Sequence, residues 1–242
     1  MIKLLLLLFS GLKFSKVLLT GGTMLISVVA YAWIYGWRYS VGFVGLLFVH
    51  EMGHFIAARQ RGLNVGAPTF IPFVGAWIEL KEMPHDAETE AYVGLAGPLV
   101  GSLGALACYF VARQGGSDLQ WLLAVSYGGF FLNLFNLIPV SPLDGGRITA
   151  VLSPKLWLLG APILVGLFVW HPNPVLLIVA LLAAPQVMKA WKYRAGDPAH
   201  DGYYVASAET KLTYATAYIG LLVFLALMTH DVHEMLTSAQ VK

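Results

Sequence analysis

The chain has 242 residues, 58% of them hydrophobic and 12% charged, with a formal net charge of +2 and a single cysteine. A soluble domain carries about 25% charged residues, so the composition excludes an ordinary soluble globular protein. Cys108 has no second cysteine to pair with, which excludes an internal disulfide, and no nucleic-acid partner is expected.

The apolar residues fall in blocks of membrane-spanning length. MIKLLLLLFS (residues 1–10) has a short apolar core, no small-residue cleavage site, and Lys13 and Lys16 close behind. It reads as a retained interfacial segment over 1–16. Seven apolar blocks follow, at 17–37, 39–58, 90–112, 119–138, 156–170, 174–191 and 212–229. Between the second and third lies GLNVGAPTFIPFVGAWIELKEMP, apolar but broken by Gly66, Pro68, Pro72, Gly75 and Pro84. Such a stretch is a poor helix, and irregular backbone at membrane depth needs protein or a watery cavity to satisfy it. The expected fold is therefore an all-α polytopic membrane protein. It has six to seven transmembrane helices and a membrane-associated β-hairpin between the second and third. The expected division is a membrane core over 17–194, then a cytosolic loop, an extra span and an external tail over 195–242.

Charge placement predicts the orientation. With the N-terminus in the cytosol, Lys3, Lys13, Lys16, Arg59, Arg61, Lys81, Arg147, Lys155, Lys189, Lys192, Arg194 and Lys211 lie on the cytosolic side. Only Arg38, Arg113 and Lys242 lie outside.

The second block ends in VHEMGH, residues 49–54. His50 and His54 are four apart, so a helix puts both imidazoles on one face, able to bind one Zn²⁺ per chain. Glu51 is rotated away from that face and suits a general base acting on water. Two histidines and a glutamate inside a span are costly without a metal to satisfy them. Arg59 follows His50 by nine residues, which puts His50 roughly 13 Å inside the cytosolic end of the helix.

A catalytic zinc takes three protein ligands and leaves a position open. The best third candidate lies in FNLIPVSPLDGGR (135–147), where Pro139 and Pro142 break a helix ahead of Asp144 and Gly145 and Gly146 permit close approach. Glu79 and Glu82 are weaker candidates. Asn136 could donate to the oxyanion of a tetrahedral intermediate. Asn133, one turn earlier, reads as a helix–helix hydrogen bond. Gly97 and Gly101 have the spacing that lets helices approach closely.

Together HEMGH, GLAGPLVG (94–101) and FNLIPVSPLDGGR resemble the site-2 protease family of intramembrane zinc metalloproteases, in its compact form without PDZ or CBS domains. The resemblance covers roughly residues 17–194. It implies His50, His54 and Asp144 as zinc ligands, Glu51 as catalytic base and Asn136 in transition-state or substrate contact. It also implies a membrane-associated β-segment after the HExxH helix. The span at 212–229 departs from the family pattern.

The expected function is hydrolysis of peptide bonds within or near transmembrane segments of membrane-protein substrates, in regulated intramembrane proteolysis. Thr69, Ile71, Val74 and Ile78 would hold an unwound substrate by strand addition. The expected setting is a multi-pass protein of a prokaryotic plasma membrane, with the site toward the cytosol and the lipid bilayer as its surroundings. Two alternatives remain. A CAAX-processing zinc protease would need a glutamate ligand from a later helix, and a metal transporter would spread its ligands over several spans.

Overall fold

The computed structural model describes residues 12–73, 75–77, 83–194 and 202–240. Of the interfacial segment expected at 1–16, residues 1–11 fall outside them and 12–16 form the start of the first helix. Within them run eight α-helices and one antiparallel pair of short strands. In chain order they are α1 (Leu12–Tyr35), α2 (Trp37–Gln60), β1 (Thr69–Ile71), β2 (Gly75–Trp77), α3 (Ala87–Gln114) and α4 (Trp121–Asn136). Then come α5 (Asp144–Ala150), α6 (Trp157–Trp170), α7 (Pro174–Lys192) and α8 (Ala208–Gln240).

Local sequence explains the boundaries. Gly36, at φ 82°, makes the one-residue break between α1 and α2, a conformation that costs glycine little. Asp86 caps α3 by accepting from the Thr89 N–H at 2.7 Å, and Glu88 and Glu90 occupy its first turn. Pro139 and Pro142 keep the chain from continuing α4. Asn173 caps α7, with Pro174 at its first position.

Five helices are long and apolar enough to cross a membrane: α1, α2, α3, α7 and α8. The protein is an integral membrane protein of mostly helical fold. The fourth and fifth expected spans are shorter than read, at 16 and 14 residues. Pro139 and Pro142 follow the end of the first at Asn136, and the 3₁₀ turn Pro154–Leu156 takes the start of the second. The last helix is longer than read: α8 takes in THDVHEMLTSAQ, which the sequence reading left as an external tail. Val232 is the reason, since it is fully buried in the core that α8 shares with α4.

Helices α2, α3 and α4 pack on one another, α5 wedges against α3, and α8 lies across α4. The principal core joins Leu46, Ala105, Val125, Phe130, Leu137, Ile148, Leu221 and Leu225. Leucines, isoleucines and tryptophans such as Leu25, Ile26, Trp33, Leu181 and Trp191 stand exposed on the outside. Hydrocarbon solvates them where water would not.

The strand pair has register Thr69↔Trp77, Phe70↔Ala76 and Ile71↔Gly75. It docks on α1: Thr20 Oγ1 donates to the Pro68 carbonyl at 2.6 Å, and the Phe70 N–H donates to Thr23 Oγ1 at 3.2 Å. Phe73, at φ 64°, turns between the strands with its N–H donating to Tyr31 Oη at 3.2 Å.

Candidate metal centre

Helix α2 brings His50, Glu51 and His54 to the centre of the bundle. Their relative exposures are 3%, 6% and 7%, and that of Asp144 is 6%, so water cannot solvate them and each must be satisfied by a partner. Asp144 opens α5 and reaches the histidines from the opposite side. His50 Nε2 and His54 Nε2 each lie 3.3 Å from Asp144 Oδ2 and 3.1 Å from each other.

The other ring nitrogens fix the protons. His50 Nδ1 lies 2.7 Å from Asn133 Oδ1, while Asn133 Nδ2 donates to the Gly129 carbonyl at 2.7 Å. The amide is thereby oriented with its oxygen toward His50, so Nδ1 of His50 is the donor. His54 Nδ1 lies 2.7 Å from the Val93 carbonyl, a pure acceptor, and must donate too. In the neutral tautomers both Nε2 atoms then carry lone pairs, aimed at one another and at a carboxylate oxygen. Three converging lone pairs with no proton between them repel unless a cation sits among them.

Spacing tests which cation fits. Tetrahedral zinc bonds of about 2.0–2.1 Å separate neighbouring ligand atoms by roughly 3.3 Å, and the three separations here are 3.1, 3.3 and 3.3 Å. The donor set of two imidazoles and a carboxylate, with both imidazoles anchored from behind, suits one Zn²⁺. Among the described residues this is the one group of three such side chains placed to share an ion.

Glycines make the room. A Cβ on Gly97 would collide with the His54 imidazole, one on Gly101 would come within 2.6 Å of Asn133 Oδ1, and one on Gly53 within 2.5 Å of the Ala96 carbonyl. The GLAGPLVG segment therefore does more than bring helices together, because its bare face receives the His54 ring and the Asn133 side chain that holds the other histidine, His50. On the other side, Gly145 abuts the Leu137 carbonyl and Gly146 the Ser141 N–H, closing the DGG turn onto the end of α4.

The rim is polar. Arg147 Nη1 lies 3.8 Å from Asp144 Oδ1, and Tyr203 Oη donates to Glu90 Oε2 at 2.7 Å. Burial, and then the Glu90 carboxylate, push the Tyr203 phenol well above its ordinary range, so it stays a donor. The Ala87 N–H donates to the Tyr203 carbonyl at 2.8 Å, fastening this loop to the start of α3.

The sequence-derived candidates divide accordingly. His50, His54 and Asp144 converge, and Glu51 stands buried beside them. Asn136 ends α4, half-buried. The asparagine that touches a histidine of the cluster is Asn133, one turn earlier. Its bond is between helices, as expected, but it also sets the tautomer of His50. Thr69 and Ile71 lie in β1, whereas Val74, Ile78, Glu79 and Glu82 lie outside the described residues. The Val93 carbonyl was not readable, because a backbone acceptor leaves no mark in a sequence. Replacing Asn133 with alanine is expected to weaken zinc binding by about 10–100-fold, the usual cost of losing the partner behind a ligand histidine. Competition with a chromophoric chelator measures it, and unchanged affinity would show that His50 needs no such support.

Residues 38–118 match the model of Peptidase family M50. A zinc metalloprotease of Methanocaldococcus jannaschii is 33% identical over 118 residues, covering 46% of this chain and 34% of that protein. A chloroplast protein of Arabidopsis thaliana named as a zinc metalloprotease is 33% identical over 151 residues, covering 44% of this chain and 28% of that one. A Mycobacterium tuberculosis protein named in the same way is 33% identical over 124 residues, covering 48% and 31%. The chain thus spans about a third of the length of these curated relatives. The solved site-2 protease of Methanocaldococcus jannaschii overlays 76% of this chain and 87% of that one, at 22% identity and a TM-score of 0.43. The matched segment, residues 38–118, is the one that carries His50, Glu51 and His54, and it is similar in sequence to Peptidase family M50.

Proposed function

We propose that the chain is an intramembrane zinc endopeptidase that hydrolyses peptide bonds within or near transmembrane segments of membrane-protein substrates, as in regulated intramembrane proteolysis. The observation that carries this reading is the buried convergence of His50, His54 and Asp144 beside Glu51 within apolar helices. Zinc held by those three residues supplies a Lewis acid and lowers the pKa of water. Glu51 accepts the proton of the attacking water and delivers it to the leaving amine as the carbon–nitrogen bond breaks. Asn136, at the end of α4, donates to the oxyanion of the substrate's tetrahedral intermediate. The catalytic core is residues 17–194, and the remainder of the chain adds α8, which packs on α4.

Charge placement supports a cytosolic N-terminus with the site nearer the cytosol, and the membrane proposed is a prokaryotic plasma membrane, on the family resemblance. Six to seven helices span it, the short α4 being packed among α2, α3 and α8 and the short α6 lying against α7, and the hairpin lies at the membrane. The substrate is a transmembrane segment that unwinds locally and adds as a strand to the hairpin. Because the Phe70 N–H points outward to Thr23, the residue opposite it, Ala76, also turns its polar groups away from the ladder. With β1 fastened to α1, the free edge is that of β2. Ala76→Pro removes the outward N–H and leaves the inner ladder intact. Cleavage is expected to fall at least about tenfold with no change in melting temperature, and unimpaired cleavage by this variant would rule out strand addition at β2.

The test is reconstitution in liposomes with a panel of single-span substrates, with products mapped by mass spectrometry. Cleavage inside a span that stops with 1,10-phenanthroline is the expected result. Zinc flux into the liposomes without any cleavage would replace the protease reading with a transporter.

A further inference from the structure

Helix α8 is the part of the chain that the motif resemblance does not cover, yet it reaches the support of the metal cluster. Tyr218 Oη donates to the Leu137 carbonyl at 2.6 Å. Leu137 is fully buried, directly follows α4, and donates its own N–H to the Asn133 carbonyl. The same Leu137 carbonyl is the surface against which Gly145 packs too closely to admit a Cβ. Asp144 is the neighbour of Gly145. One phenol therefore meets a carbonyl that is linked on one side to the helix turn holding His50 through Asn133. On its other side, that carbonyl meets the turn that presents Asp144.

The contact is not a loose surface one. Leu221, one turn on from Tyr218, and Leu225, one turn further, lie in the same core as Leu137 and Ile148 of α5. A carbonyl at the end of a helix lacks an intrahelical donor, and within an apolar bundle it needs one from elsewhere. Tyr218 supplies it.

We infer that Tyr218 is a positioning residue for the metal centre: through the Leu137 carbonyl, α8 sets the distance between Asp144 and the two histidines, and with it the zinc affinity. The inference rests on the metal-centre reading above. Tyr214 offers a matched control, since its hydroxyl also donates from α8 to a backbone carbonyl, that of Glu88 at 3.4 Å, but away from the Asp144 turn.

The experiment uses the full chain in detergent. Zinc affinity is measured by chelator competition, and the visible spectrum of the cobalt-loaded protein reports ligand geometry. Tyr218→Phe keeps the ring and its packing while deleting the hydrogen bond. It is expected to weaken zinc binding about tenfold, the low end for an outer support of a metal ligand, and to alter the cobalt spectrum. Tyr214→Phe is expected to match the wild type in both. Thermal melts of the two variants separate loss of stability from loss of metal geometry. Should Tyr218→Phe not fold, Tyr218→Leu, which also lacks the donor, serves in its place with the altered cobalt spectrum as readout. Wild-type zinc affinity and spectrum in a folded Tyr218 variant, or equal weakening by Tyr214→Phe, would overturn the inference. A wild type that binds no zinc would overturn the metal-centre reading and this inference with it.

Discussion

Replacing Glu51 with glutamine is expected to cut peptide hydrolysis by about a thousandfold, within the range for removing a general base, while zinc content and fold stay as they are. The amide has nearly the same shape as the carboxylate, so the packing around this buried position is preserved. It cannot accept the proton of the attacking water, and it has no acid to return to the leaving amine. Glu51 is one position from His50 on α2 and so lies about 100° round the helix from it, which keeps it off the face that carries both imidazoles. Metal content by elemental analysis, read beside turnover, separates the two roles. Lost zinc would make Glu51 a ligand or a support of one, and retained turnover would move the base to another residue.

A second large effect is expected at Gly97. The position where a side chain would begin is already filled by the His54 ring. Gly97→Val must either push His54 off the cluster or part α3 from α2. Moving His54 breaks its bond to the Val93 carbonyl and removes one of three ligands, so zinc affinity should fall by about 100-fold or more. Parting the helices instead should show as a loss of about 1–3 kcal/mol in stability, the usual cost of overpacking. Chelator competition and thermal melts distinguish these. Gly45, whose added Cβ would meet nothing within 4 Å, is the control, and Gly45→Ala should change neither quantity. A Gly97→Val variant with unchanged zinc affinity and stability would contradict the geometry described here.

What the sequence made legible follows from periodicity. His50 and His54 four apart in an apolar run fix a shared face whatever the rest of the fold does. Asp144 stood out because two prolines and two glycines frame it after a long apolar stretch, and such punctuation reads without a structure. That Asn133 makes a bond between helices was legible, but not that Asn133 rather than Asn136 meets His50. They lie nearly one turn apart and face much the same way, and only the depth at which α4 meets α2 decides which touches His50. The part played by Gly97 was half legible, since small-residue spacing signals close approach but not that a histidine ring fills the space. The far end of α8 was misread because His230, Asp231, His233 and Glu234 make it look like a solvated tail. Those polar residues share the helix with Val232, which is fully buried, and one of them, His233, sets its ring 5.6 Å from that of Tyr127. Tertiary packing carries the helix through a polar stretch that composition alone would end.

The measurement that bears most directly on this account is zinc K-edge X-ray absorption of the purified wild-type chain loaded with one equivalent of zinc. A four-coordinate site with two imidazoles is expected, with all nitrogen and oxygen ligands at about 2.0–2.2 Å. A sulfur ligand at about 2.3 Å, from Cys108 or a methionine, or a six-coordinate oxygen shell without imidazole, would contradict it.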